Sequence, residues 1–588
     1  MPLKVCQLTI DSFRGIKKAT LLFPNHAVLI GDNNVGKSTV LEALDLVLGP
    51  DRLSRQSPID EHDFHLGQYL ASEESADGAG SPKIAIAATI SDLSEEQQSY
   101  FGDYIEWWDG TKNALHEVPD GKALDASPAI AAVRLTFIGS YDIAEEDFVG
   151  KTYFTRTLNE DDNPQAFTKT DKQKCGFLYL RSLRTGTRAL SLERGSLLDI
   201  ILRLKEIRPK MWEATLGELA KFDVASDPEL GISGVLSSID VALKKYVPRE
   251  WGIQPRLRVS ALTRRHLREV ITAFIATGTG SHMAPFFRQG TGTINMLLLA
   301  MLSQIAEDKQ NVIFAMEEPE TAIPPYAQKR IVHELRKLSA QTIFTSHSPY
   351  VLEEFDLEET VVLGRDGDGL LQQASVSLPE SIKPKRYRQE FRTRFCEGLL
   401  SRRVLVAEGA TEATAIPAAA RRLSELNPEK YVSLEALGIV VLDAGSENNL
   451  ADLAKLYKGL GKETFALCDK QSDQRKSAIE AQVKELFMHG EKGLENLVFK
   501  NTTASALQRF AKSLDWPQHL KKKYPDVTTN TAEALGEYFG GTKGNYGLAD
   551  YLAQCSEAEI PSWIRDVCIA LVTHCQSAAA PNPTRKAK

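Results

Sequence analysis

The chain has 588 residues and a mass of 65.0 kDa, room for about four units at roughly 150 residues per domain. Apolar residues make up 43% and charged residues 25%; these globular proportions exclude a disordered chain, a collagen-like repeat and a disulfide scaffold. Lys and Arg number 70 against 78 Asp and Glu, a net charge of −8, which excludes a uniformly basic nucleic-acid coat but not binding through local basic patches.

The seven cysteines, Cys6, Cys175, Cys396, Cys468, Cys555, Cys568 and Cys575, are scattered, odd in number and without a CxxC pair. They read as thiols of a reducing cytoplasm and argue against a structural zinc site. The opening MPLKVCQLTIDSF has no apolar signal core, and no run of about 18 apolar residues occurs. The expectation is a soluble, cytoplasmic protein without a membrane partner.

In chain order, Lys4–Ile10 alternates as a strand, Phe13-Arg14-Gly15 turns, and Ala19–Phe23 and His26–Ile30 read as further strands. A helix is predicted over Ser38–Leu48, with Val40, Leu41, Leu44, Val47 and Leu48 at helical spacing and Gly49-Pro50 as its stop. Residues 72–82 form a glycine-rich polar loop, and Ile84–Ile90 and Ile130–Ile138 are strands. A helical pattern fills Leu190–Val247 without a long heptad array. An α/β stretch follows over Asn295–Leu363, then a basic junction at 382–395, a second α/β unit from Arg403, and a disordered tail.

Residues 31–39, GDNNVGKST, lie between an apolar strand and an amphipathic helix. Gly31 and Gly36 let backbone N–H groups curl around phosphates, with Asn33 and Asn34 between them. Lys37 supplies charge at the β/γ oxygens, and Ser38, followed by Thr39, offers a hydroxyl to Mg²⁺ at a helix N-terminus. A later strand, Asn311–Met316, ends in Glu317-Glu318. Glu317 is placed to hold the Mg²⁺ shell, and Glu318 to orient or deprotonate the attacking water. After a helix over Tyr326–Leu338 and a strand over Thr342–Thr345 comes His347, a candidate γ-phosphate sensor. Gly290 and Gly292, before an apolar helix, form another anion cradle.

In the second α/β unit an apolar strand from Arg403 ends at Glu408-Gly409, with Glu412 four residues on at a helix start. Glycine permits the tight turn, so both carboxylates can face one point beyond the strand, where hard divalent ions find oxygen ligands. Strands over Leu437–Leu442 and Thr464–Cys468 lead to Asp443 and Asp469. Strands alternating with helices imply a parallel sheet that binds ligands at its carboxyl ends.

The order of phosphate loop, Gly290 loop, acidic strand end and histidine strand end resembles ABC-type ATPase heads. In these, the glycine loop acts on nucleotide held by a partner head. The Glu408-Gly409 turn with later acidic strand ends resembles a Toprim domain, whose third motif is Asp-x-Asp. Here the chain reads Asp469-Lys470-Gln471-Ser472-Asp473, so Asp473 is the candidate for the second acid.

The pair of domains resembles the OLD (overcoming lysogenization defect) nucleases, of which the Gabija nuclease subunit is one branch. The resemblance covers Lys4–Leu48, Arg288–Phe355 and Ser401–Leu552, and it puts the late acid and lysine of the nuclease site on Glu495 and Lys543. It implies an α/β fold: an ABC-type ATPase head with an inserted mainly helical dimerisation or accessory region, then a C-terminal Toprim domain. The expected boundaries are head 1–185 and 256–380, helical insertion 186–255, basic linker 381–400, Toprim domain 401–575 and tail 576–588.

The resemblance further implies catalytic and metal roles for Glu408, Glu412, Asp469, Asp473 and Glu495, with ATP and Mg²⁺ or Mn²⁺ as cofactors. It implies DNA as substrate, assembly as a homodimer or larger oligomer through the heads, and defence against phage or foreign DNA; the basic stretches Arg256–Arg268 and Lys383–Arg394 are the candidates to hold the DNA backbone. Some members work with a helicase-like partner encoded separately. The rival readings are a DNA-repair or structural ATPase with a silent Toprim domain, motivated by Gln471, and an ATP-sensing subunit that gates a partner.

Overall fold

The computed structural model describes residues 3–50, 57–70, 81–116, 129–160, 163–180, four positions between 196 and 202, 208–221, 232–246, 274–276, 283–308, 312–321, 323–379, 392–527, 529–541 and 547–577. Arg256–Arg268, residues 383–391, Lys543 and the tail from 578 lie outside the described residues, as do parts of the expected helical insertion.

The chain opens with β1 (Lys4–Phe13), β2 (Ile16–Leu22) and β3 (Ala27–Ile30), and the phosphate loop then leads into helix α1 (Lys37–Leu48). Both expected strand ends shift, because the hairpin turns on Arg14-Gly15 alone, with Phe13 paired to Ile16 and Arg14 at φ 51°. The Arg14 guanidinium binds Glu42 of α1 and Asp63, each at 2.7 Å. Contacts divide the chain into two units, Met1–His26 with Ser38–Ser346, and Ala27–Lys37 with His347–Lys588.

The first unit adds β4 (Ile84–Ser91), β5 (Glu106–Asp109), β6 (Ala114–Leu115), β7 (Ala129–Asp142) and β8 (Asp147–Phe154) to β1 and β2. These strands run antiparallel in the order β6-β5-β7-β4-β1-β2, and β8 also pairs with β7. In β4 Ile84, Ile86 and Ala88 are buried, the alternation that marks one buried sheet face. A parallel set joins β9 (Phe177–Leu180) to β12 (Ile313–Glu317) and β12 to β13 (Gln341–Thr345), while β10 (Phe274–Ala276) and β11 (Met283–Pro285) form a hairpin. Gln341 is fully buried and exchanges hydrogen bonds with the Val5 backbone at 2.8 and 3.0 Å. Within 190–247, the described helices are α2 (Arg208–Lys221) and α3 (Ile232–Tyr246). Helices α4 (Thr291–Asp308) and α5 (Pro325–Leu338) complete the unit.

In the second unit β3 pairs in parallel with β14 (Thr360–Arg365), which takes β15 (Leu370–Ser375) antiparallel. A separate all-parallel sheet has the order β17-β16-β18-β19, with β16 at Arg403–Ala407, β17 at Ile439–Asp443, β18 at Glu463–Cys468 and β19 at Glu485–Met488. The residues of β16 are buried throughout, as a central strand covered on both faces requires. Arg403 donates to Glu463 at 2.5 Å and to the Leu437 carbonyl at 2.8 Å, tying the sheet at its amino end.

Around this sheet lie α6 (Arg392–Leu400), α7 (Ala410–Leu426), α8 (Glu447–Gly459), α9 (Asp473–Glu480), α10 (Leu494–Asn501), α11 (Gly547–Ala553) and α12 (Ser562–Ser577). Leu405, Phe465, Ile416, Tyr551 and Leu571 share one apolar core. On α6, a Cβ at Gly398 would meet Leu442 Cδ1 and Tyr457 Oη, each at 2.8 Å. Gly398→Ala is therefore expected to cost about 1–3 kcal/mol through overpacking, read as a lower urea midpoint with unchanged slope.

Candidate functional site

The carboxyl ends of β16 and β18 present Glu408 and Asp469 one residue past each strand. The strands are in parallel register, and the backbone N–H of Glu408 donates to Leu467 O at 3.0 Å. The Glu408 carboxylate accepts from the Asp469 N–H at 3.1 Å and from Gln471 Nε2 at 3.0 Å. Gly409 caps α7, and Glu412 lies in its first turn. A Cβ on Gly409 would stand 3.2 Å from Glu412 Oε2, so the glycine leaves room for the two acids to approach.

Asp469 Oδ2 accepts from the Gly493 N–H at 2.6 Å. Gly493 adopts φ 85°, a left-handed conformation that favours glycine, and it caps α10, whose first turn carries Glu495. Glu495 accepts from Thr411 Oγ1 at 3.1 Å. Glu408, Glu412, Asp469 and Glu495 are thus drawn together from two strand ends and two helix starts. Asp443 ends β17 and accepts from the Gly445 N–H at 2.7 Å.

Asp473 stands apart. It is exposed at the start of α9, and no described hydrogen bond or ion pair joins it to the four acids. The buried Gln471 side chain turns to Glu408 instead.

The electrostatics follow from burial of like charges. Glu412 is 7% exposed, and burial, with Asp469, Glu495 and Glu408 nearby, pushes its carboxyl up to about 7. Burial also raises Glu408; the Asp469 N–H opposes that shift, while the charges of Asp469 and Glu447 add to it. Such a carboxylate set fits a hard divalent cation, whose charge would relieve the crowding. Cys468 ends β18 beside these acids, and burial, with the charges of Glu408, Asp469 and Glu412 adding to it, pushes its thiol up to about 12.

His489 belongs to this cluster and was not among the expected residues. One donor atom from each of Glu412, Asp469 and His489 lies within 4.8 Å of the others. The signal for it was slight, a single histidine closing the short apolar run ELFM.

In the phosphate loop Gly31 has φ 151° and Gly36 φ 120°. A Cβ on Gly31 would stand 2.5 Å from the Leu363 carbonyl oxygen, so only glycine fits there. The buried Lys37 folds back, donating from Nζ to Gly31 O at 2.8 Å and Asp32 O at 3.0 Å. Asn33, Asn34 and Ser38 are exposed, Thr39 is half-buried, and Asn34 is left-handed at φ 64°.

In the other unit Glu317 ends β12 and accepts from the Tyr179 hydroxyl, and Glu318 follows at φ 45° with its N–H on Thr345 O at 2.9 Å. Gly290 immediately precedes α4, and Gly292 lies inside its first turn rather than in a loop. His347, after β13, is exposed.

Two family models match parts of the chain. An AAA ATPase domain family matches residues 3–101 and 265–352. The family described as overcoming lysogenization defect protein-like, TOPRIM domain, matches residues 399–470, a span that holds Glu408, Glu412 and Asp469. The Old nuclease of Escherichia phage P2 is 21% identical over 506 residues, covering 80% of this chain and 77% of the relative. Among solved structures, the C-terminal region of the Burkholderia pseudomallei OLD protein is 20% identical, covering 31% of this chain and 99% of that one at a TM-score of 0.23. The SMC head domain from Thermotoga maritima is 11% identical, covering 64% and 100% respectively at a TM-score of 0.28.

The chain is an ATPase domain joined to a Toprim domain. The Toprim segment is OLD-like, and over most of its length the chain is similar to the Old nuclease of phage P2. No helix among its described residues is long and apolar enough to cross a membrane.

Proposed function

We propose that the chain is a nucleotide-regulated, divalent-metal-dependent DNA endonuclease acting in the cytoplasm against phage or other foreign DNA. The observation that carries this reading is the gathering of Glu408, Glu412, Asp469 and Glu495 at the carboxyl ends of a parallel sheet within an OLD-like Toprim domain. The name of the phage P2 relative, Old nuclease, supports the reaction class.

Glu408, Glu412, Asp469 and Glu495 would hold Mg²⁺ or Mn²⁺, which supplies Lewis-acid charge and an activated water for phosphodiester hydrolysis. Two backbone N–H groups orient the carboxylates: that of Asp469 on Glu408 and that of Gly493 on Asp469. Lys543 supplies positive charge to the developing phosphorane. Arg256–Arg268 and Lys383–Arg394 hold the DNA backbone, so binding falls steeply with salt.

ATP sits on Gly31, Asn33, Asn34, Gly36, Lys37, Ser38 and Thr39. Glu317, Glu318 and His347 take the magnesium, water and γ-phosphate roles implied by their order in the chain. Gly290 and Gly292 act on nucleotide of a second copy, making the working form a homodimer or larger.

A second reading rests on Gln471. Its amide donates to Glu408 at 3.0 Å where the Toprim pattern has an acid, which favours an ATPase with a silent Toprim domain. Supercoiled plasmid incubated with Mg²⁺ or Mn²⁺, with and without ATP, separates the two. Nicking or linearisation that EDTA abolishes and Glu408→Ala lacks is expected; intact plasmid in every wild-type lane favours the silent-domain reading.

A further inference from the structure

We infer that His489 is a nitrogen ligand of the Toprim metal site, coordinating through Nε2 beside Glu412 and Asp469, and that this mixed donor set favours a first-row transition ion over Mg²⁺. The inference rests on the metal-dependent reading above and specifies the site more closely.

The sheet register brings the histidine there. Cys468 of β18 pairs with Met488 of β19, so the next residues, Asp469 and His489, emerge side by side at the carboxyl edge. The His489 backbone N–H donates to Cys468 O at 3.3 Å. The residue is 3% exposed, and its ring meets the Trp563 ring edge-on, with centroids 4.9 Å apart. That packing restrains the imidazole plane.

Among the described residues, neither ring nitrogen of His489 has a hydrogen-bond partner. Leaving a buried polar group unsatisfied costs about 1–3 kcal/mol, so an imidazole in this state calls for a partner beyond the hydrogen bonds that the described residues offer. Nε2 lies 3.1 Å from Asp469 Oδ1, yet the contact does not have hydrogen-bond geometry. One donor atom from each of Glu412, Asp469 and His489 lies within 4.8 Å of the others, close enough to share one ion. A cation there would satisfy the imidazole and neutralise the carboxylates together.

The ligand chemistry sets the preference. Mg²⁺ takes oxygen ligands and keeps its waters, whereas a neutral imidazole suits first-row transition ions. Mn²⁺ is the probe of choice because its electron spin reports directly on nitrogen in its first shell.

The full chain loaded with Mn²⁺ is expected to show ¹⁴N modulation in pulsed electron paramagnetic resonance. Labelling the protein with ¹⁵N-histidine should replace that signal with the ¹⁵N pattern, a readout that needs no variant. In His489→Ala the nitrogen signal should vanish. Its Mn²⁺ dissociation constant should rise about tenfold or more, and that for Mg²⁺ by less than about threefold. Bound Mn²⁺ without nitrogen modulation, or modulation that survives in His489→Ala, overturns the inference and leaves the metal-dependent reading standing. No bound Mn²⁺ in the wild type overturns both.

Discussion

Glu412→Gln should raise the melting temperature of the metal-free protein at pH 8, leave it unchanged at pH 4, and reduce plasmid cleavage by roughly a thousandfold or more. Burial and the neighbouring acids raise the Glu412 carboxyl from 4.5 to about 7 in the folded chain. The folded state therefore binds the proton more tightly than the unfolded one. The stabilisation this brings is complete below the unfolded value of 4.5 and disappears as pH rises through about 7, leaving an ionised, crowded carboxylate at pH 8. The difference is on the order of 3 kcal/mol, and glutamine, which cannot ionise, escapes it.

Excess Mn²⁺ should reverse the ranking. Ligand binding to the folded state stabilises the wild type, while the variant lacks one carboxylate. Calorimetric scans at pH 4 and pH 8, with EDTA or Mn²⁺, test both halves. A melting temperature lower than wild type at pH 8 in EDTA would show that Glu412 acts as a structural acid rather than as a waiting ligand.

Glu408, Glu412 and Asp469 were legible because their positions follow from local rules. A strand of five or six residues, apolar toward its carboxyl end, leads to an acid, a glycine turn or short loop follows, and a helix begins. In a parallel sheet such residues must meet at one edge. Asp473 was expected by motif spacing, but α9 starts at that residue and leaves its carboxylate exposed, while Gln471 takes the inward position. A two-residue difference in where a loop becomes a helix is too fine for a sequence pattern to decide. His489 was not legible at all, since its place depends on the pairing of β18 with β19, and no local periodicity carries strand order.

The antiparallel part shows the same division. Strands β4 and β7 announce themselves through Ile84–Ile90 and Ile130–Ile138, where buried apolar residues recur. Strand β8 does not: Asp147, Gly150 and Lys151 interrupt it, and only its last residues, Thr152 and Phe154, are buried. It is held by pairing along β7, a long-range contact that composition does not record. At the phosphate loop the reverse holds. Its glycines fall where the backbone takes positive φ, down to a Gly31 whose replacement would strike the Leu363 carbonyl.

Lys37→Met should weaken ATP binding by about 10–100-fold, the loss of one charge-assisted hydrogen bond worth about 1.5–3 kcal/mol. The Lys37 ammonium is buried and held by the Gly31 and Asp32 carbonyls, so it is fixed within the loop proposed to cradle the phosphates. Methionine preserves most of the buried stem and limits the folding penalty that alanine would add by opening a cavity. Isothermal titration with ATP measures the loss, and unchanged affinity would remove Lys37 from the nucleotide site.

The same variant gives the sign of control. If nucleotide licenses cutting, Lys37→Met should cleave plasmid slowly whether or not ATP is present. If nucleotide holds the nuclease off, it should cleave as the ATP-free wild type does, even in millimolar ATP. Glu408→Ala should show the complementary phenotype, with ATP affinity intact and cleavage lost, because Glu408 lies just past β16 of the Toprim sheet while Lys37 opens α1 after β3. A variant pair that lost both functions together would mean that the nucleotide and nuclease sites fold as one cooperative structure, and that neither phenotype reports on regulation.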